Sequence, residues 1–283
     1  MIFINPKTDF AFKKIFGSEQ SKDILISFLN ALLYNEQPVI EDLEILNPYL
    51  APRIRGIKDT YLDVRAKVTG NKTVIIEMQI LNIEGFEKRI LYNAAKAYSI
   101  QLKSGESYTL LNPVIALTIT DFKMFDFSEN VISRFVLKEK DYLVDYPIYD
   151  LELVFAELPI FTKSLEELET LTDKWFYFLK EARSLEQIPP TMAAVPEIQH
   201  AFEIANQSLL TPEELEDLER QEIYIYDARN AIAKANKEGL KAGAQAKALE
   251  IARSLLDVLD VETISQKTGL SVADVQALEQ ARA

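Results

Sequence analysis

Cysteine is absent from the 283 residues, and histidine occurs once, at His200. These shortages exclude a disulfide framework, a thiolate metal centre, a cysteine nucleophile and a multi-histidine zinc site. His200 sits in EIQHAFEIA, a helical-looking segment, where a surface or packing role is expected. No apolar run is long enough to span a bilayer, and the N-terminus has no basic stretch followed by a hydrophobic one, so cytoplasm is the expected compartment. Net positive charge is also lacking: the formal net charge is −13, which argues against a broad basic surface for nucleic acid. The deficit is uneven. Residues 1–107 carry 14 Lys/Arg against 13 Asp/Glu, whereas residues 108–283 carry 17 against 31. The first part is therefore electrostatically permissive toward phosphate. With 48% hydrophobic and 27% charged residues, the composition is that of a soluble chain with a buried core, in one or two domains.

What is present is concentrated in Thr60 to Ile80, TYLDVRAKVTGNKTVIIEMQI. Two alternating segments flank Gly70-Asn71. Leu62, Val64, Ala66 and Val68 share one face of the first, with Asp63, Arg65 and Lys67 opposite. Val74, Ile76, Met78 and Ile80 share one face of the second, leaving Thr73, Ile75, Glu77 and Gln79 opposite. Strict alternation predicts strands, and Gly-Asn predicts the turn between them. Only an even pairing sum places both apolar rows on one face. A loop of Thr69-Gly70-Asn71, closing on Val68 and Lys72, satisfies that rule and sets Asp63 across from Glu77. Cross-strand neighbours stand about 4.5–5.5 Å apart at Cβ. Two carboxylates so placed repel unless a cation lies between them, which suggests a Mg²⁺ site. The alternative is a hairpin with a solvated polar face.

The flanks supply further elements. Asp9 to Leu33 predicts a helix, or two with a break at Gly17-Ser18, and Ser21 is a candidate N-cap for the second. Glu41 to Tyr49 predicts a first strand, and Pro52–Asp59 a polar connector able to contact substrate. Glu87 to Leu102 predicts an amphipathic helix with an apolar stripe of Ile90, Leu91, Ala94, Ala97, Tyr98 and Leu102. Arg89 and Tyr92 lie three apart on its surface. Asn112 to Thr120 predicts a strand buried on both faces. Later strands are expected at Ser133–Leu137 and Tyr149–Glu157, and a helix at Lys163–Ala182. Its Trp175-Phe176-Tyr177-Phe178 cluster is expected to serve core or domain packing rather than base stacking.

Three segments belong together: PKTDFAFKKIFG at 6–17, LDVRAKVTGNKTVIIEMQ at 62–79 and FEKRILYNAAKAYSIQLKSGESY at 86–108. As a set they resemble the recombination-promoting nuclease and transposase-like family of the PD-(D/E)xK nuclease superfamily, over roughly residues 5–180. Its members carry Glu-x-Gln where the superfamily has Asp/Glu-x-Lys, matching Glu77-Met78-Gln79. The resemblance implies an α/β fold, a restriction-endonuclease-like αβββαβ core with a mixed sheet followed by an all-α C-terminal region. It implies a metal-dependent DNA endonuclease connected with recombination or mobile elements. Asp63 and Glu77, helped by the Met78 carbonyl, would hold Mg²⁺ or another divalent cation. Gln79 would orient the attacking water, Arg89 would offset phosphate charge, and Tyr92 would orient a ligand. Asp9, Lys13 and Lys14 match polar positions of the leading helix, with a solvated face as the alternative for the lysines. Gln101 is a further substrate-side candidate, although exposed helix glutamines are common. A catalytically degenerate nucleic-acid-binding module and a protein-interaction scaffold are the competing readings.

The expected organisation is a nuclease-like core over 1–160, a helical extension over 161–227 and a helical tail over 228–283. Thr211-Pro212-Glu213-Glu214 reads as a helix start. Ala228–Leu259 is Ala-rich, and Ala235, Gly239, Gly243 and Ala246 form a small-residue stripe suited to close packing, including a homo-oligomer. Glycine inside an exposed helix costs about 1 kcal/mol relative to Ala, which makes a flexible tail the rival reading. Val261 to Glu279 resembles a helix-turn-helix unit with Gly269 at the turn. Its second helix lacks Lys and Arg but carries Asp274 and Glu279, which favours a structural or protein-contacting role over DNA readout.

Overall fold

Thr8 starts the first helix, α1 (Asp9–Phe16), its side chain accepting from the Ala11 amide. Residues 2–50 and 60–281 are described in this computed structural model; the polar connector 52–59 lies outside them. A short turn, Glu19–Ser21, separates α1 from α2 (Lys22–Tyr34), so the expected break is real. Ser21 occupies the N-cap position of α2 without capping it; its hydroxyl donates to the Ser18 carbonyl at 3.0 Å, while Ser18 caps the turn. The expected first strand is shortened to β1 (Leu43–Ile45). The physical cause is Asn47-Pro48: Asn47 Oδ1 accepts from the Tyr49 amide at 2.9 Å, turning the chain into the separate β2 (Tyr49–Leu50). β2 pairs with β3 (Thr60–Tyr61), and the chain then enters β4 (Val64–Val68) and β5 (Thr73–Gln79).

The hairpin adopts the expected register. Val64 pairs with Ile76, Ala66 with Val74 and Lys67 with Thr73, and the Val68 amide donates to the Lys72 carbonyl at 2.9 Å. The three-residue loop requires left-handed backbone at Gly70 (φ 77°) and Asn71 (φ 63°), which glycine and asparagine tolerate best. Following it are α3 (Phe86–Ser99), β6 (Val114–Thr120), β7 (Ile132–Phe135) and β8 (Leu151–Glu157). The main sheet has the order β1-β4-β5-β6-β8-β7. β5, β6 and β8 run parallel, whereas β1, β4 and β7 pair antiparallel with their neighbours. This is a mixed α/β sheet with the expected αβββαβ core. All seven residues of β6 are buried, as its apolar run requires.

Two expectations fail on the α3 face. Leu62 does not share a core with Val64: it packs with Leu50, Ile75, Ala94 and Ala97, because regular strand geometry lapses between Tyr61 and Val64. The buried face of α3 consists of Phe86, Ile90, Asn93, Ala94, Lys96 and Ala97, and Leu91 is 51% exposed. The helix ends at Ser99, so Leu102 lies beyond it.

The opposite face of the sheet carries the main core. Val64, Ala66, Val74, Ile76 and Ile119 pack there with Phe12, Phe16, Phe28 and Trp175. Trp175 belongs to α4 (Leu171–Glu181), a helix shorter than expected because Thr170 and Asp173 form a capping box at its start. Trp175 meets Phe28 and Phe178 edge-on, at 5.6 and 5.8 Å. The aromatic cluster is core. Next come α5 (Pro190–Ala193) and α6 (Pro196–Ile204), whose His200 Nδ1 lies 2.9 Å from Asp23 on the surface.

Thr211 and Glu214 cap α7 (Pro212–Leu255) reciprocally. The chain divides into two compact units, Met1–Ile225 and Tyr226–Ala283. In the second, α8 (Val261–Thr268) ends at Gly269 (φ 73°) and α9 (Val272–Gln280) begins with a Ser271–Asp274 capping box. Ala252, Ile264, Leu270 and Val275 form its small core, with Leu278 packed against it. The Ala235, Gly239, Gly243 and Ala246 stripe is exposed on a continuous helix.

Candidate active site

Asp63 occupies the irregular step just before β4, level with Glu77 by the hairpin register. Its Oδ2 accepts from the Met78 amide at 2.7 Å. Lys13 Nζ stands 3.8 Å from Oδ1 and also pairs with Asp9 at 2.6 Å. Burial, and then a hydrogen bond with Asp9, push the Asp63 carboxyl up to about 7, against the opposing effects of the Met78 amide and Lys13. Glu77 is buried on β5 and raised in the same direction by burial, with Arg89 and Asn93 opposing. Asn93 Nδ2 donates to Glu77 Oε1, and Arg89 Nη2 lies 3.6 Å from Oε2.

Gln79, two residues along the same strand face, is committed at both ends of its amide. Arg89 Nη2 donates to its Oε1 at 2.7 Å, and its Nε2 donates to the Leu81 carbonyl at 2.7 Å. The Arg89 guanidinium also lies over the Phe86 ring, 5.1 Å from its centre. Arg89 Nε is buried with no hydrogen-bond partner among the described residues. Helix α3 thus delivers Arg89 and Asn93, one turn apart, to the carboxylates of the hairpin.

These groups open on one cleft of about 910 Å³. Asp9, Asp63, Glu77, Met78, Gln79, Arg89 and Tyr92 line it. Lys13 borders it through its contacts with Asp9 and Asp63. Two of the expected site residues lie elsewhere. Lys14 pairs with Glu214 and sits over the Phe10 ring. Gln101 makes two hydrogen bonds of 2.9 Å with the backbone of Asn112, bracing the approach to β6. Tyr61 and Asn93 join the lining without having been singled out in the sequence. For Asn93 the available signal is its spacing of four from Arg89, which puts both on one face of α3.

Among the described residues, no three acidic, histidine or cysteine side chains converge into a metal cage. Mg²⁺ does not require one: it keeps several waters and takes one or two carboxylates. Asp63 and Glu77 supply hard oxygen donors whose raised pKa values record poorly compensated negative charge, which a divalent cation offsets. The donor set fits such an ion.

A sequence profile described as PD-(D/E)XK nuclease family transposase matches residues 6–235. The chain belongs to that family. No curated protein and no solved structure matches it significantly. For this member of the PD-(D/E)XK nuclease family transposases, the match spans the sheet, α3 and the helices through α6. It also includes more than half of α7. No described helix is long and apolar enough to cross a membrane.

Proposed function

We propose that this family member is a divalent-metal-dependent DNA endonuclease acting in recombination or on mobile elements. The observation that carries the reading is the convergence of Asp63, Glu77 and Arg89 on one cleft, with the amide of Met78, next to Glu77 in the chain, donating to Asp63. Asp63 and Glu77, with the Met78 carbonyl, would hold the ion. When bound, a divalent cation polarises phosphoryl oxygen and lowers the pKa of water. The chain supplies the rest. Asn93 fixes one oxygen of Glu77 and the Met78 amide fixes one oxygen of Asp63, so both carboxylates are orientated before substrate arrives. Gln79 holds Arg89 beside the acidic pair, where its remaining donors meet phosphate oxygens. The Gln79 amide nitrogen has two hydrogens, and the one beyond its Leu81 contact serves the attacking water. Tyr92, on the cleft wall, orients the phosphate strand.

One observation supports a second reading. Gln79 stands where most of the superfamily has lysine, and its amide is held by Arg89 and Leu81. A module that binds DNA without turnover is compatible with that arrangement. Supercoiled plasmid incubated with Mg²⁺ or with EDTA separates the readings. Nicked circles with Mg²⁺ and none with EDTA support the endonuclease. A gel shift without nicking supports the binding module, and neither response supports an interaction scaffold.

A further inference from the structure

The hydrolytic roles leave one wall of the cleft unused. It is apolar and exposed: Tyr61 is 71% accessible and Ile83 43%. Tyr61 lies on β3 directly opposite Tyr49 on β2, and the two rings are stacked with centres 4.8 Å apart and planes 30° from parallel. Tyr49 therefore backs one face of Tyr61 and limits its rotation. Only one residue separates Tyr61 from Asp63, so the two Cα atoms are at most about 7 Å apart. Both residues line the same cleft, so the ring is within reach of a phosphodiester held at Asp63 and Glu77.

Regular duplex DNA offers such a wall little. Its outer surface is sugar and phosphate, and its base faces are occupied by their neighbours. An unpaired base presents a bare π-face, and stacking on an aromatic side chain is tolerant of sequence. We propose that Tyr61, backed by Tyr49, is a stacking platform for an unpaired nucleobase next to the scissile phosphate. The substrate class is then DNA carrying an unstacked base at the cleavage site, not uninterrupted duplex. This rests on the nuclease reading above for its phosphate, while the platform itself is a binding property.

Fluorescence anisotropy in EDTA tests it with two labelled duplexes that differ by one unpaired base. The full-length wild type should bind the interrupted duplex about tenfold more tightly, within the range of a base–aromatic stack. Tyr61→Trp should keep that preference, and Tyr61→Leu, of similar bulk without a π-face, should lose it. With 2-aminopurine as the unpaired base, wild type and Tyr61→Trp should quench its emission and Tyr61→Leu should not. Equal binding of both duplexes by wild type, or preference and quenching retained in Tyr61→Leu, would overturn the platform. The nuclease reading fails separately, by absence of Mg²⁺-dependent cleavage of either duplex. Quenching without cleavage would uphold the platform in a non-cleaving protein.

Discussion

Arg89 donates from Nη2 to Gln79 Oε1 at 2.7 Å and stands 3.6 Å from Glu77 Oε2. The glutamine of Glu-x-Gln thus secures a cation from α3 where a lysine would present its own. Strand and helix are tied together beside Glu77, where the proposed hydrolysis would need phosphate charge offset.

That relationship makes Gln79 and Arg89 act as a unit. Gln79→Ala should lower cleavage roughly 10- to 100-fold, the scale of a lost hydrogen bond to a charged group. Arg89→Ala should lower it further when made alone, yet add little on top of Gln79→Ala. Gln79→Lys should also lower cleavage, because its ammonium would face the Arg89 guanidinium. Single-turnover rates over the complete cycle measure the coupling; additive losses would show that the two side chains work independently.

A pH dependence follows from Asp63. Its carboxyl is held at about 7 against an ordinary 3.8, so between those values the folded chain keeps a proton that the unfolded chain has lost. The stability of the metal-free protein should therefore fall as pH rises from about 4 to 7 through this group. Asp63→Asn removes the contribution. Its melting temperature should match wild type near the lower end and exceed it at the upper end. Mg²⁺ should then raise the melting temperature of wild type above pH 7 and leave Asp63→Asn nearly unmoved. A melting difference that does not change with pH would contradict the burial of this charge.

Asn93 is expected to act through Glu77. Removing its amide by Asn93→Leu frees the Glu77 carboxylate to rotate, and Mg²⁺ affinity should fall about 10- to 100-fold, as for other groups that orient metal ligands. Asn93→Asp, placing a carboxyl beside Glu77, should be at least as damaging. Isothermal titration with Mn²⁺ reads the affinity directly, and unchanged binding in Asn93→Leu would remove Asn93 from the site.

The second compact unit begins at Tyr226. Residues 212–225 belong with the first unit, where they pack on α1: Gln221 accepts from the Phe10 amide at 3.0 Å and Glu214 pairs with Lys14. A chain ending at Ile225 should fold and retain metal binding, whereas one ending at Leu210 should lose several degrees of thermal stability. Circular dichroism melts of both chains check this; equal stability of the two would deny α7 a part in the first unit.

The hairpin was legible because alternation and parity leave one register, and the pairs Val64–Ile76 and Lys67–Thr73 obey it. Its acidic positions followed from the same arithmetic. Helix α3 was harder to read. An apolar stripe should contain Leu91, but Leu91 is exposed, and beside Phe86, Ile90, Ala94 and Ala97 the helix buries Lys96 and Asn93, the latter donating to Glu77. Hydrophobic periodicity finds faces packed on oil and misses faces packed on a polar site. Lys14 and Gln101 lie outside the cleft for a related reason. Their partners, Glu214 and the Asn112 backbone, are set by tertiary packing that local spacing does not encode. The kink that turns Leu62 away from Val64 falls at Asp63, where regular pattern and site geometry conflict.

The most direct test of the account is the Mg²⁺-dependent nicking of supercoiled plasmid by wild type and Asp63→Asn, at equal purity and with matched circular dichroism spectra. Replacing one half-buried carboxylate by an isosteric amide should keep the fold and remove the charge of a proposed metal ligand. Nicking by wild type with Mg²⁺, none with EDTA, and a loss of at least about a hundredfold in Asp63→Asn are expected. Equal nicking by the two proteins would contradict a metal site built on Asp63 and Glu77.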